Sequence, residues 1–350
     1  FNLIGSTLFL FALGSLYAET GTLNMADRAQ RVALLGPDET VGIRVASVLL
    51  LLVFAIKAAL VPLHFWLPSS YSEAPAPVAA LFAIMTKVGA YAIIRVYTMV
   101  FPPELDSTAG LFDVWLLPAA LVSLALGMMG VLAAKKLDRL VAFSVIGSMG
   151  MVMISISLFT PEGIAAALYY IVHSTLVGAT LFLISDLVRT GRANLDLTPQ
   201  PVIAGNALTA GLYFAAAIAM AGLPPLSGFL GKLLVLDAAY DSALMVWIWA
   251  IVLSSSLISI LGFARAGSIL FWKAHSVEAG EDRDFGVRPA ALSYVAVGGL
   301  ITLLAAHTIL AGQVHGYTTK MAAQLFSPEP YISQVLETAG KLSKSKEGDH

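Results

Sequence analysis

Three lysines stand where an apolar residue would be expected: Lys57 inside Leu51–Leu60, Lys87 inside Ala83–Gly89, and Lys232 at the end of Gly228–Lys232. A charged lysine at the centre of a bilayer costs about 2.5–3.5 kcal/mol on insertion scales, so three of them in one chain require a compensating role. An amine in a weakly polar interior gives up its proton more readily near neutrality than one in water. Lys57, Lys87 and Lys232 are therefore the first candidates to carry protons. The competing role is a lysine fixed in an ion pair or on backbone carbonyls, which would keep its proton permanently.

Two of the lysines adjoin a helix break. Pro62 cannot donate to the carbonyl of Ala58, the neighbour of Lys57, and Pro224 and Pro225 release the carbonyls of Met220 and Ala221 just before Ser227, Gly228 and Lys232. Carbonyls freed in lipid must face protein or water, so a polar, hydrated pocket is expected beside each break. His64 lies two helical turns beyond Lys57 on roughly the same face, and His173 sits inside Tyr169–Thr175. Imidazoles change charge near neutral pH and suit a relay between lysines. His307 has only Thr308 as a polar neighbour and reads as a packing residue. Ser144, Ser148 and Ser155, like Ser255 and Ser259, share helix faces and read as close helix contacts. Carboxylates are scarce at depth: Asp186 and Asp237 lie toward helix ends and Glu73 in a short connection. A carboxylate partner for Lys57 is expected from sequence before Phe1 or from another subunit.

Composition narrows the class of chemistry. The chain of 350 residues is 58% hydrophobic and only 12% charged, which excludes a water-soluble globular protein. With a net charge of −2 and no long single-sign run, nothing points to nucleic acid. Without cysteine the chain cannot bind an iron–sulfur cluster or thiolate zinc, or form a disulfide. Paired histidines at metal spacing and a nucleophile elbow are also missing. Gly228–Lys232 has the look of the end of a phosphate-binding loop, but Leu233 replaces the hydroxyl residue that would hold magnesium. The expectation is a transporter component rather than an enzyme, with no cofactor and no metal.

About 20 apolar residues span the hydrocarbon core. Nine such stretches are readable: Leu3–Tyr17, Gly42–Trp66, Val78–Phe101, Phe112–Ala134, Leu140–Phe159, Gly163–Val188, Ile203–Tyr240, Ala243–Trp272 and Ala290–Ala311. The seventh is too long for one helix and contains Gly222-Leu223-Pro224-Pro225, so it reads as one crossing built from two half-helices. The fold class is an all-α polytopic membrane protein, residues 1–312 forming the membrane domain and 313–350 an amphipathic to disordered tail. Lys135, Lys136 and Arg139, then Arg189 and Arg192, then Arg265, Lys273, Arg283 and Arg288, fall in alternate connections, which should face the cytoplasm. Arg28, Arg31, Arg44 and Arg95 load the opposite side more weakly, and the tail follows on that outer side. In the tail, Met321 and Leu325, then Pro330, Ile332, Val335 and Leu336, suggest two short amphipathic pieces against the membrane surface or a partner. The start, Phe1-Asn2-Leu3, does not resemble a signal peptide and reads as the middle of a longer sequence.

Lys57 to Pro68, Glu73-Ala74-Pro75-Ala76-Pro77-Val78, Lys87 to Tyr91, Lys135 to Gly150 and Gly222 to Lys232 together resemble the antiporter-like subunits shared by NADH–quinone oxidoreductase and the multisubunit cation/proton antiporters. Within that superfamily, Gly21 to Ala26 and Ser327 to Ile332 are most similar to the D component of the Mrp-type monovalent cation/proton antiporter. The resemblance covers nearly the whole chain. It implies an inverted-repeat fold with two broken helices, of which this sequence corresponds to the sixth through fourteenth crossings. It further implies that Lys57 is the lysine of the seventh helix, Lys87 that of the eighth, His173 a residue of the eleventh and Lys232 the lysine of the twelfth. The fifth-helix glutamate that partners the seventh-helix lysine has no counterpart here.

The leading expectation is a proton-conducting subunit in the bacterial inner membrane. It would work with other antiporter subunits to exchange protons for a monovalent cation, sodium first. Lys57, Lys87, His173 and Lys232 would form a polar line at one membrane depth, supported by Pro62, His64, Pro224, Pro225, Ser227 and Gly228. A second expectation keeps this path and drives it by redox chemistry in a quinone-reducing or hydrogenase complex. A third is a scaffold subunit that conducts nothing, its lysines locked in ion pairs.

Overall fold

In a computed structural model the described residues are 2–34, 41–101, 110–277 and 288–337. They are helical almost throughout, because a chain in lipid must satisfy its backbone within each segment. The elements are α1 (Asn2–Thr20), α2 (Met25–Leu34), α3 (Val41–Lys57), α4 (Trp66–Glu73), α5 (Ala76–Met99), α6 (Leu117–Ala133), α7 (Leu137–Ser157) and α8 (Pro161–Arg192). They continue as α9 (Asn206–Ala221), α10 (Ser227–Ala238), α11 (Met245–Gly267), α12 (Ala291–Ile309), α13 (Ala311–Leu325) and α14 (Glu329–Glu337). A π-helical turn, Leu111–Leu116, leads into α6.

Among the described residues, seven uninterrupted helices are long and apolar enough to cross a membrane. The other two expected crossings are interrupted ones, α3–α4 and α9–α10. Arg283 and the residues beyond Glu337, which entered the charge and tail expectations, lie outside the described residues.

α7 is the most enclosed crossing, with 94% of its apolar window buried. Small residues make that possible. A Cβ on Gly127 would stand 2.4 Å from the backbone nitrogen of Gly147, and one on Gly150 would stand 2.4 Å from that of Leu124. α6 and α7 therefore meet backbone to backbone, as the serine faces suggested: Ser144, Ser148 and Ser155 are all buried, the first two bonding back to Val141 and Val145. Tyr97 of α5 ties to α3 through a hydrogen bond to the Ser47 carbonyl.

The basic connections gather at one end of the bundle. Leu137 N donates to Leu195 O at 2.9 Å, Leu197 N to Lys135 O at 2.8 Å, and Arg265 Nη2 to Ala134 O at 2.6 Å. Glu73, Lys135, Lys136, Asp138, Arg139 and Arg189 line a cleft of about 810 Å³ there, with Arg189 and Asp138 at 3.6 Å. α4 arrives at this end and α9 departs from it, so the two broken crossings run in opposite directions, as an inverted repeat requires. At the other end Phe159 meets Phe326 edge-on, and the Arg95 guanidinium lies 4.6 Å from the Tyr331 ring. α13 packs along α8, and α14 approaches the short helix α2, an element with no counterpart among the expected spans.

Gly150→Val should force α6 and α7 apart at a backbone contact. The expected cost is toward the upper end of about 1–3 kcal/mol for overpacking, whereas Gly298→Ala, with open space around it, should be neutral. Thermal midpoints of the two variants in detergent check this.

Candidate functional site

The second break shows how the chain handles a carbonyl that proline has set free. α9 stops at Ala221, Gly222 turns left-handed at φ +73°, and Pro224-Pro225 is a cis pair before α10 begins at Ser227. Lys232, two residues beyond the first turn of α10, folds back toward the break. Its Nζ donates to Ala221 O at 2.6 Å and to Ser256 Oγ of α11 at 2.8 Å. The Ala221 carbonyl that Pro225 cannot serve is thus served by the lysine. Gly222 is needed twice, for its positive φ and because a Cβ there would stand 2.7 Å from the Lys232 stem.

His173 of α8 is completely buried against the same break. Its Nδ1 lies 2.9 Å from Ser227 Oγ, and its Nε2 faces the Ala219 carbonyl without reaching hydrogen-bond geometry. Gly228 leaves room for this approach, since a Cβ there would sit 2.0 Å from Ala219 O and 2.8 Å from His173 Nε2. From the other side Ser227 N donates to the Thr308 hydroxyl at 2.9 Å. Ser227 and Gly228, expected as supporting residues, hold these positions through a hydroxyl and a missing side chain.

Lys87 of α5 is buried, 3% exposed, and its Nζ and the Thr86 hydroxyl meet no hydrogen-bond partner among the described residues. α5 packs on α8 with Ala83 beside Gly178, and α10 packs on α8 with Gly231 against the Tyr170 ring, so Lys87, His173 and Lys232 are buried on three adjoining helices.

The first break departs from expectation. α3 ends at Lys57 itself, five residues before Pro62, because Ala59 turns left-handed at φ +55° and Leu60 N bonds back to Ala55 O. The Val61–Pro62 bond is cis, Val61 N reaches Ser123 Oγ at 2.9 Å, and Trp66 Nε1 occupies the Ile56 carbonyl at 3.0 Å. α5 abuts the turn at Gly89, where a Cβ would stand 2.8 Å from Ala58 N and Phe54 O. Lys57 is consequently a helix-end residue exposed on the chain's own surface, at a cleft of about 480 Å³ shared with Trp66, Ser70, Tyr71 and Met85. The common-face argument linking it to His64 fails too, since no helix joins them. His64 is half-buried and packs on Phe65 with ring centroids 4.7 Å apart. Pro62, Pro224 and Pro225 mark real interruptions and are themselves exposed.

Two partners escaped the sequence reading. Ser256 was hidden in the run Ser254-Ser255-Ser256, whose neighbours Ser255 and Ser259 are buried. Only the rotation of α11 selects it for Lys232. In the sequence Thr308 is marked only by its neighbour His307. Its hydroxyl, bonded to Leu304 O at 2.8 Å, stops the Ser227 N–H from being orphaned. Among the described residues no group of three metal-ligating side chains occurs.

Comparison with known proteins agrees with this architecture. Residues 1–259 match the family model described as NADH:quinone oxidoreductase/Mrp antiporter, transmembrane. The chain is 34% identical to the D component of the Na(+)/H(+) antiporter of Bacillus subtilis (strain 168), and 33% identical to that of the probable K(+)/H(+) antiporter of Rhizobium meliloti (strain 1021). In each case the match takes in 96% of this chain and 66% of the relative, so the chain spans just under two thirds of their length. It superposes on a chain of the Mrp complex from Dietzia sp. DQ12-45-1b with a TM-score of 0.82 at 25% identity, over 96% of this chain and 68% of that one.

Gly222→Ala should destabilise by more than about 1–2 kcal/mol, the cost of left-handed backbone alone, because the new methyl also meets the Lys232 stem. Gly21→Ala, at φ +66° with its nearest neighbour 3.4 Å away, should show the backbone cost only. Thermal unfolding of both variants decides whether the lysine stem presses on the break.

Proposed function

Because the chain belongs to the NADH:quinone oxidoreductase/Mrp antiporter transmembrane family, we propose that it is a proton-conducting subunit of a multisubunit cation/proton antiporter in the bacterial cell membrane. The observation that carries this reading is Lys232, buried at a break with its Nζ between the Ala221 carbonyl and the Ser256 hydroxyl.

That arrangement accepts both states of the amine. Protonated, Nζ donates to Ala221 O and Ser256 Oγ, while the Ser256 hydroxyl donates to Val252 O at 2.8 Å. Neutral, the amine keeps its bond to Ala221 O, and the Ser256 hydroxyl turns to donate its proton to the nitrogen. Uptake and release of a proton thus keep both partners of the nitrogen engaged, which a fixed ion pair would not allow. Lys87 and His173 lie within electrostatic reach, so a proton on one disfavours a proton on the next, more strongly in a weakly screened interior than in water. His173 bridges the two lysines, and its Ser227 contact ties it to the backbone that moves if the break flexes.

The proton line runs through Lys87, His173 and Lys232, with Lys57 joining it from the surface cleft beside the first break. Coupling to Na⁺ is supported by the names of relatives, one of which is named for K⁺ instead. The partners are the other subunits of such a complex. A redox-driven complex is the second reading, favoured by the other half of the family's description, and the proteins that co-purify with the chain separate the two.

In the complete complex, Lys232→Ala is expected to abolish cation-dependent proton exchange in membrane vesicles with assembly intact. Lys232→Arg should be nearly as inactive, since guanidinium does not release its proton; normal exchange in the arginine variant would make Lys232 a fixed positive charge and favour a scaffold. Ser256→Ala removes one hydrogen bond to the ammonium, worth about 1.5–3 kcal/mol. Exchange should fall by roughly tenfold or more on that basis.

A further inference from the structure

α12 brings a second buried imidazole to the break. His307 is 6% exposed, and its ring stacks on Tyr169 of α8 with centroids 4.4 Å apart and planes 30° apart. The Tyr169 backbone carbonyl faces the His307 ring. Among the described residues His307 Nε2 has no hydrogen-bond partner, and neither has the Tyr169 hydroxyl, though both are shielded from solvent. The adjacent residue, Thr308, is bonded to Ser227, whose hydroxyl holds His173. His307 is therefore linked to His173 by a chain of named contacts.

Packing alone does not account for this. A buried polar atom left without a partner costs about 1–3 kcal/mol, and a leucine or phenylalanine would cover Tyr169 without that cost. The two such atoms on this stacked pair would be served by water, which needs two to four polar partners to settle in a protein. The pair also has a direction. α8 starts at Pro161, next to Phe159 at the end of the bundle away from the basic loops, so Tyr169 and His307 lie on the way from His173 to that end. Beyond the turn at Leu310, α13 continues along α8 toward Phe326 and carries His315, whose Nδ1 is likewise shielded and, among the described residues, unpartnered.

We infer that His307 is a proton-carrying residue that connects His173, by way of the Tyr169 hydroxyl and His315, to the end of the bundle opposite the basic loops. This rests on the proton-conducting reading above and adds to it the route by which protons reach that surface. In each passage Nε2 of the neutral ring takes up a proton delivered from the His173 side, and the same N–H bond gives it to water on the His315 side. The ring returns to its neutral form with no net change.

The test uses the complete complex in membrane vesicles, with exchange read as cation-dependent change in internal pH. His307→Gln keeps a planar side chain able to hydrogen-bond but unable to carry a proton. It should lower exchange at least tenfold with assembly and thermal midpoint unchanged, and added imidazole should restore part of the exchange to His307→Ala. Wild-type exchange in His307→Gln, or a loss matched by a lowered midpoint and not relieved by imidazole in the alanine variant, overturns the inference. Lys232→Ala in the same preparation separates the two levels: inactive there with an active His307→Gln removes only the His307 route, whereas activity in both removes the conducting role itself. Should His307→Gln fail to assemble, Tyr169→Phe decides, because it keeps the stacked ring and removes only the hydroxyl. Exchange reduced at least threefold supports the route, and wild-type exchange overturns it.

Discussion

Everything at the centre of this molecule follows from the need to satisfy backbone groups where water is scarce. A helix that stops inside a bilayer exposes carbonyls and N–H groups that lipid cannot serve. Here the Ala221 carbonyl is taken by the Lys232 ammonium and the Ser227 N–H by Thr308. Side chains help at the first break too, where Ser123 serves the Val61 N–H and Trp66 joins the Ala59 N–H on the Ile56 carbonyl. A group that repairs a break is held in place by it, so the interruption fixes the chemistry as well as the path of the chain.

Close approach is the second requirement, and glycine supplies it at the few positions that matter. Gly228 lets His173 stand against α10, and Gly89 lets α5 press on the turn after Lys57. Gly127 and Gly150 bring α6 and α7 to backbone contact, which helps to enclose α7. In a membrane, where apolar side chains gain little by leaving lipid, such contacts supply much of the association between helices.

The two breaks are related but not equivalent in this chain. The second is enclosed by α8, α11 and α12, and its lysine is buried with two named partners. The first opens onto a cleft, and its lysine lies at the exposed end of α3. The proposed proton line falls accordingly on the enclosed side, where Lys87, His173 and Lys232 are all buried.

The apolar crossings, the presence of two interruptions and the three lysines are legible in the sequence, because run length, proline and charge are local properties whose cost in lipid does not depend on neighbours. It also determined which connections share an end of the bundle, since alternation along the chain leaves no other choice. The tertiary structure alone decided that α3 ends at Lys57 and not at Pro62: the left-handed turn at Ala59 is stabilised by Ser123, Trp66 and the flat face of Gly89, all distant in sequence. It alone decided that Ser256 meets Lys232 while Ser255 and Ser259 pack, and that Thr308 and His307 belong with a break about 80 residues earlier, Ser227 bonding Thr308 across that separation. Those choices depend on the rotation and depth of each helix. Both are set by long-range packing of small residues, and no local pattern of hydrophobicity records them.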